Sequence, residues 1–293
     1  MKATLLPDRG VVKVAGADAR RLLNGLLTAD VDKVAPGAPR FAALLTPQGK
    51  IVADCIVAAA PAGDGLFLDC PLALAPRLVE RLNFYKLRAK ALIEDLSATL
   101  GVLAAWDGGG STRIGLAYPD PRLAALGLRV MLAPHLAAEA AAELGAEMTA
   151  PESFEAHRIA LGVPSGGHDF AYGDAFPHEA DMDQLAGLDF DKGCYVGQEV
   201  VSRMQHRGLA RSRVVPVTYD TPPTQGTPVR AGDKPVGTIG SVAAGHGLAL
   251  VRLDRVAEAL AGGLVLDAGG VPIRLARPEW ARFAFPDEAR AAE

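Results

Sequence analysis

Cysteine is nearly missing from this chain: Cys55, Cys70 and Cys194 are the only three in 293 residues. So few, and an odd number, exclude a disulfide framework and point to a reducing compartment. The three also lack C-x-x-C spacing and a neighbouring histidine pair, so no structural metal is expected. An excess of one charge is lacking too. A net charge of −4 excludes a protein that coats nucleic acid non-specifically, although a local basic patch remains compatible with it. No apolar run reaches the ~18 residues of a membrane span. Pro7, Asp8 and Arg9 break the N-terminal apolar stretch where a signal peptide would need a continuous core. The expectation is a cytoplasmic protein without a membrane partner.

What is present reads as α+β. A short alternating strand, "RGVVKVAG", precedes an amphipathic helix opened by Asp18, with Leu22, Leu23, Leu26 and Leu27 at helical spacing. Two apolar runs around Pro47-Gln48-Gly49 form a hairpin. A strand "GLFLDCP", a helix "ALAPRLVERLNFYKLR" and a strand "AKALIEDLS" follow. The strands and helices do not keep the regular rhythm of a doubly wound sheet, which favours α+β over α/β. Further on, "TLGVLAAW" and "LRVMLA" read as strands, and "PESFEAHRIALG" as a helix punctuated by proline and glycine. A long polar loop over residues 163–191 is a functional candidate by its length. After Gly208, short strands separated by Gly, Pro and Asp indicate a small β-barrel. The basic "HRGLARSR" reads as a linker, and direct RNA binding through it is not expected.

The polar loop runs into "DFDKGCYVGQEVVSRMQHRG", residues 189–208. Val196, Val200, Val201 and Met204 would share one face of a helix beginning near Tyr195, which places Cys194 at its N-terminus. Unpaired N–H groups there, with Lys192 nearby, would favour a thiolate. Gly193 would allow a tight turn before the helix. Tyr195 offers a flat face, and Gln198 and Glu199 offer an amide and a carboxylate suited to a heterocycle edge. Cys55 and Cys70 sit in apolar strands and read as core. His168, His178 and His206 are conceivable partners for the thiol, and no spacing selects one.

The string "KGCYVGQEVVSR" closely resembles the signature of the YgfZ-type folate-binding proteins, relatives of the glycine cleavage T-protein (aminomethyltransferase). Further matches lie in family order: "LLNGLLTADV", "LLTPQGKIVAD" and "RIALGVP" ahead of the signature, and "HRG" after its helix. The resemblance implies T-protein-like folate-binding α/β subdomains over residues 1–208, a C-terminal small β-barrel over 209–285 and a tail over 286–293. It implies a tetrahydrofolate-binding factor for assembly or repair of iron–sulfur clusters in [4Fe–4S] enzymes, including tRNA-modifying ones. Its partners would be reduced folate, iron–sulfur assembly proteins and client enzymes. Cys194 would be the functional thiol. Lys192, Tyr195, Gln198, Glu199, Arg203, Phe154 and Arg158 would bind the folate, with Lys192, Arg203 and Arg158 as cations for its glutamyl tail. Arg9 stands where the resemblance would place an aromatic. A folate-dependent one-carbon transferase is the alternative, although the T-protein's corresponding helix lacks the cysteine.

Overall fold

The computed structural model describes residues 1–63, 65–208 and 210–286. The chain divides into two compact units, Met1–Phe154 with Leu185–Gln198, and Glu155–Gln184 with the residues from Glu199 onward. Most of the tail assigned to residues 286–293 lies outside the described residues.

The first unit holds two sheets. Its strands and helices, in chain order, are β1 (Lys2–Leu6), β2 (Arg9–Ala15), α1 (Ala19–Asn24), β3 (Arg40–Leu45), β4 (Ile51–Ala59), β5 (Leu66–Pro71), α2 (Ala75–Lys86), β6 (Leu92–Asp95), β7 (Gly101–Trp106), β8 (Leu116–Pro119), β9 (Leu128–Leu132), α3 (Ala137–Glu143) and β10 (Glu147–Met148). One sheet runs β3-β4-β5-β2-β6 and is antiparallel throughout. The other runs β10-β1-β7-β9-β8, with β10 parallel to β1. The expected hairpin is present: β3 and β4 pair around a turn in which Gly49 has φ +79° and donates its N–H to the Thr46 carbonyl. Strand β4 is buried along nearly its whole length, Asp54 included, so its mostly apolar run reflects cover on both faces rather than alternation.

The helix expected from Asp18 to about Val31 stops at Asn24. Asn24 turns its amide oxygen to the Val31 N–H at 3.0 Å, and an asparagine that bonds backbone in this way competes with helix continuation. Leu26 and Leu27 are still buried, but from an irregular stretch in which Leu27 bridges Leu44 of β3. The strand β1 escaped the sequence reading because Pro7 and Asp8 follow it closely, and these residues separate strands that belong to different sheets.

A buried charge cluster joins those two sheets within this unit. Asp69 on β5 accepts from Arg9 Nε at 2.6 Å, from Arg129 Nη1 at 2.7 Å and from the Tyr118 hydroxyl at 3.1 Å. Arg129 also donates from Nε to Asp120 Oδ2 at 2.8 Å, and Arg122 pairs with the same carboxylate at 2.7 Å. Burial pushes the Asp69 carboxyl up, but Arg9 and Arg129 outweigh it and hold it below the ordinary range. The arginine that replaces an expected aromatic is thus an ion-pair partner, not a ligand platform.

Helix α4 (Pro151–Ala160) carries the chain into the second unit, and α5 (Gln198–Arg207) leads to the barrel. The barrel strands are β11 (Ser212–Thr218), β12 (Pro228–Ala231), β13 (Lys234–Ala243), β14 (His246–Arg252), β15 (Leu266–Ala268) and β16 (Val271–Leu275). They close in the order β11-β14-β13-β12-β15-β16, with Val217 opposite Leu275 completing the circle. A helix, α6 (Leu253–Ala261), interrupts them and buries Val256 and Ala259 against the barrel core. The expectation of strands alone missed it, because "RVAEALA" sits between two clear strand signals.

The loop after α4 is not an open polar segment. Phe170, Ala175, Ala180 and Met182 are buried, as are Asp169, His178 and Asp181. Asp169 receives Arg158 Nη1 at 2.9 Å and the Ser241 N–H at 2.7 Å. Arg213, expected in a solvated linker, is buried in β11 and pairs with Asp181 and Asp183. These charges tie the loop down.

Candidate functional site

The segment that precedes α5 is anchored residue by residue to the first unit. Thr28 donates its hydroxyl to the Gly187 carbonyl at 2.6 Å, and its own carbonyl receives the Asp189 N–H at 3.0 Å. Asp189 pairs with Lys33 at 2.7 Å. Lys192 then buries its ammonium in a cage of three carbonyls, Asn24, Leu27 and Ala29, at 2.7, 2.6 and 2.8 Å. Burial pulls this ammonium down to about 8, against the pull of Asp30, Asp189 and Asp32. The short α1 makes this cage possible, since the irregular chain after Asn24 turns its carbonyls toward the lysine.

Cys194 follows as an exposed residue. It lines a recess of about 350 Å³ with Arg20, Arg21, Asn24 and Asp32. Asn24 donates to Asp32 at 3.2 Å, and Arg20 donates to the Val31 and Val34 carbonyls. Among the described residues, the Arg21 side chain makes no hydrogen bond or ion pair. The expected helix-terminus setting is corrected: α5 begins at Gln198, four residues after the thiol, so its first N–H groups are not beside it. The tight turn is also displaced. A Cβ at Gly193 would meet nothing, whereas Gly197 has φ +84° and a Cβ there would sit 2.6 Å from the Thr46 carbonyl. Gly197 is the position that permits close approach to the β3–β4 turn.

The other expected site residues are dispersed in role. Tyr195 is buried, with the Lys192 ammonium 5.0 Å from its ring centre. Phe154 is buried edge-on against Trp106, with ring centres 5.3 Å apart. Arg158 is bound to Glu155, Asp169, Ser241 and the Val163 carbonyl. Gln198 accepts the Tyr195 N–H at 3.3 Å. Glu199 and Arg203 are exposed one turn apart on α5 and pair at 2.6 Å. His178 is buried and hydrogen-bonds Gln205 at 3.1 Å. The lysine cage was legible in the sequence only as a charge near a cysteine, because its acceptors are backbone carbonyls more than 160 positions away.

The three thiols should therefore differ sharply in reactivity. Cys55 and Cys70 are buried in β4 and β5, and burial pushes both thiols up, Cys70 to about 12. Iodoacetamide should alkylate Cys194 first in the native protein, with the other two labelling only after denaturation. Peptide mapping by mass spectrometry reads the order, and equal native labelling of all three would contradict this arrangement.

Two antiparallel-rich sheets and a C-terminal barrel define the architecture of an aminomethyltransferase T. The glycine cleavage system aminomethyltransferase T from Bartonella henselae superimposes with a TM-score of 0.75 over 97% of this chain and 87% of that one, at 14% identity. Residues 211–283 match the family described as the CAF17 C-terminal β-barrel domain. In sequence, the chain is 36% identical over 243 residues to the mitochondrial iron–sulfur cluster assembly factor IBA57 homolog of Mycosarcoma maydis, covering 76% of this chain and 59% of that protein. Mitochondrial IBA57 of Homo sapiens is 29% identical over 280 residues, covering 86% and 77%. The chain thus spans less than two thirds of the first fungal relatives it matches. These names correct the expectation of a cytoplasmic protein, since the relatives are mitochondrial factors. Sparse unpaired cysteine is compatible with any reducing compartment and does not single out the cytoplasm.

Proposed function

We propose that this protein is an assembly or repair factor for iron–sulfur clusters, serving [4Fe–4S] enzymes that include tRNA-modifying ones, with Cys194 as its working thiol. The observation that carries this reading is the contrast around Cys194. Lys192 and Tyr195 close to it in sequence are buried, and Lys192 is bound to three carbonyls, yet the thiol itself stands exposed in a recess. A thiolate is the usual protein ligand of iron–sulfur clusters, and a rigid mount lets one thiol meet a cluster with little ordering cost. The similarity to proteins named iron–sulfur cluster assembly factors supports the same reading, and so does the KGCYVGQE resemblance. Assembly proteins and client enzymes would be its partners.

Tetrahydrofolate is the small ligand that the resemblance supports, and several residues assigned to it already have partners within their own unit. Phe154 and Tyr195 spend their rings on Trp106 and Lys192, and Arg158 and Lys192 spend their charges on buried partners. Gln198, Glu199 and Arg203 remain as the polar groups within reach of solvent. Calorimetry with reduced folates tests the ligand separately from the thiol.

The deciding experiment is a deletion strain assayed for [4Fe–4S] enzyme activity. Wild type should restore activity, and Cys194→Ala should not, at equal protein level. Full restoration by Cys194→Ala would refute the thiol's role. Formation of methylene-tetrahydrofolate and ammonia from tetrahydrofolate and an aminomethyl donor by the purified protein would instead favour a one-carbon transferase.

A further inference from the structure

Helix α2 ends in an exposed apolar and basic corner. Leu87, the residue after it, is 88% exposed and Phe84 67%. Leu87 also has φ +46°, a backbone conformation that is strained for a leucine. The surrounding structure therefore holds a leucine outward in water. Beside it lies a recess of about 480 Å³ between α1 and the end of α2, lined by Arg21, Leu22, Tyr85, Lys86, Leu87 and Arg88 among others. Residues 77–90 contain Arg77, Arg81, Lys86, Arg88 and Lys90 against a single acid, Glu80, in a chain whose net charge is −4. The one acid lining the recess, Asp18, accepts the Lys90 N–H at 2.7 Å. Arg21, Lys86 and Arg88 make no ion pair or hydrogen bond with their side chains among the described residues.

We propose that this recess docks an acidic segment of a partner protein that inserts an apolar side chain beside Leu87 and Tyr85. Three unpaired cations around a concave apolar floor are complementary to such a segment. A nucleic acid would satisfy the cations but leave Leu87 and Phe84 uncovered, and a membrane surface would not fill a recess. The site is also continuous with the thiol: Arg21 and Gly25 line both this recess and the one holding Cys194. A docked segment would therefore reach toward Cys194, whatever chemistry the thiol performs.

The test uses the full-length protein and a short fluorescein-labelled peptide of aspartate and glutamate around a Leu-Phe pair, followed by anisotropy. Saturable binding should weaken as salt rises from about 0.05 to about 0.3 M. The combined Arg21→Glu/Lys86→Glu/Arg88→Glu variant should lose about tenfold or more. Leu87→Ser should separately lose about tenfold, the effect of one leucine's burial. Bound peptide should slow alkylation of Cys194. The proposal is overturned by absent binding, by equal binding of the same peptide with lysine in place of its acids, or by binding that neither variant changes. Tighter binding of single-stranded RNA, or of phosphatidylserine vesicles, with the same dependence on the variants would overturn it in favour of those surfaces.

Discussion

Lys192→Met should lower the stability of the protein by about 3–5 kcal/mol, with no folate present. Methionine keeps the apolar stem but removes the ammonium, so three carbonyls lose their common donor. Two of those bonds are buried, and an unsatisfied buried acceptor costs about 1–3 kcal/mol. Partial rehydration near Asn24 keeps the sum below three full penalties. At pH 7 an ammonium titrating at about 8 is still mostly protonated, so the wild type holds all three donors. Against a whole stability of about 5–15 kcal/mol, the loss is large. The melting temperature should fall by roughly 6–20 °C for a protein of this size. The experiment also separates two roles for the residue. A folate-tail cation would leave the ligand-free melting temperature unchanged, whereas a loop anchor lowers it. Accelerated proteolysis near residues 187–198 should accompany the shift.

The lysine shows where sequence reasoning reached and where it stopped. Local patterns placed the hairpin at Gly49, the barrel after Gly208 and the helix over residues 151–160, since each depends on turn chemistry and periodicity within a few residues. The end of α1 at Asn24 was harder. Its leucines keep helical spacing, and the competing Asn24–Val31 bond is a tertiary choice. Cys55 and Cys70 are core, as their apolar strands indicate, and Cys194 is exposed, but α5 begins later than periodicity suggests, and the glycine that matters sterically is Gly197, not Gly193. Arg9, Arg158 and Arg213 illustrate the same limit. Each looked like a surface or ligand-facing charge, and each is committed to a carboxylate far away in sequence or on a buried loop. Single-sequence patterns carry no information about such pairings.

The Arg9–Asp69–Arg129 cluster makes the same point as a measurement. Asp69→Asn should destabilise the protein by about 3–5 kcal/mol, because the buried Arg129 and the largely buried Arg9 lose the anion they share. Asparagine can still accept one N–H and keep the Tyr118 contact, so the fold should survive with a lower midpoint in urea and an unchanged slope. The pH dependence follows from the direction of the shift. A carboxyl held below its ordinary value of about 3.9 stabilises the native state above that pH. The contribution is then lost as pH falls through the lower native value. Wild-type stability should therefore drop steeply below about pH 4, and part of that drop should be missing from Asp69→Asn, which has already lost the charge. Replacing Asp69 and Arg129 together, as Asp69→Leu/Arg129→Met, should cost less than the sum of the single changes, since removing both partners leaves fewer stranded charges. Strict additivity, or acid profiles that run parallel for wild type and Asp69→Asn, would show that the two arginines do not depend on this carboxylate.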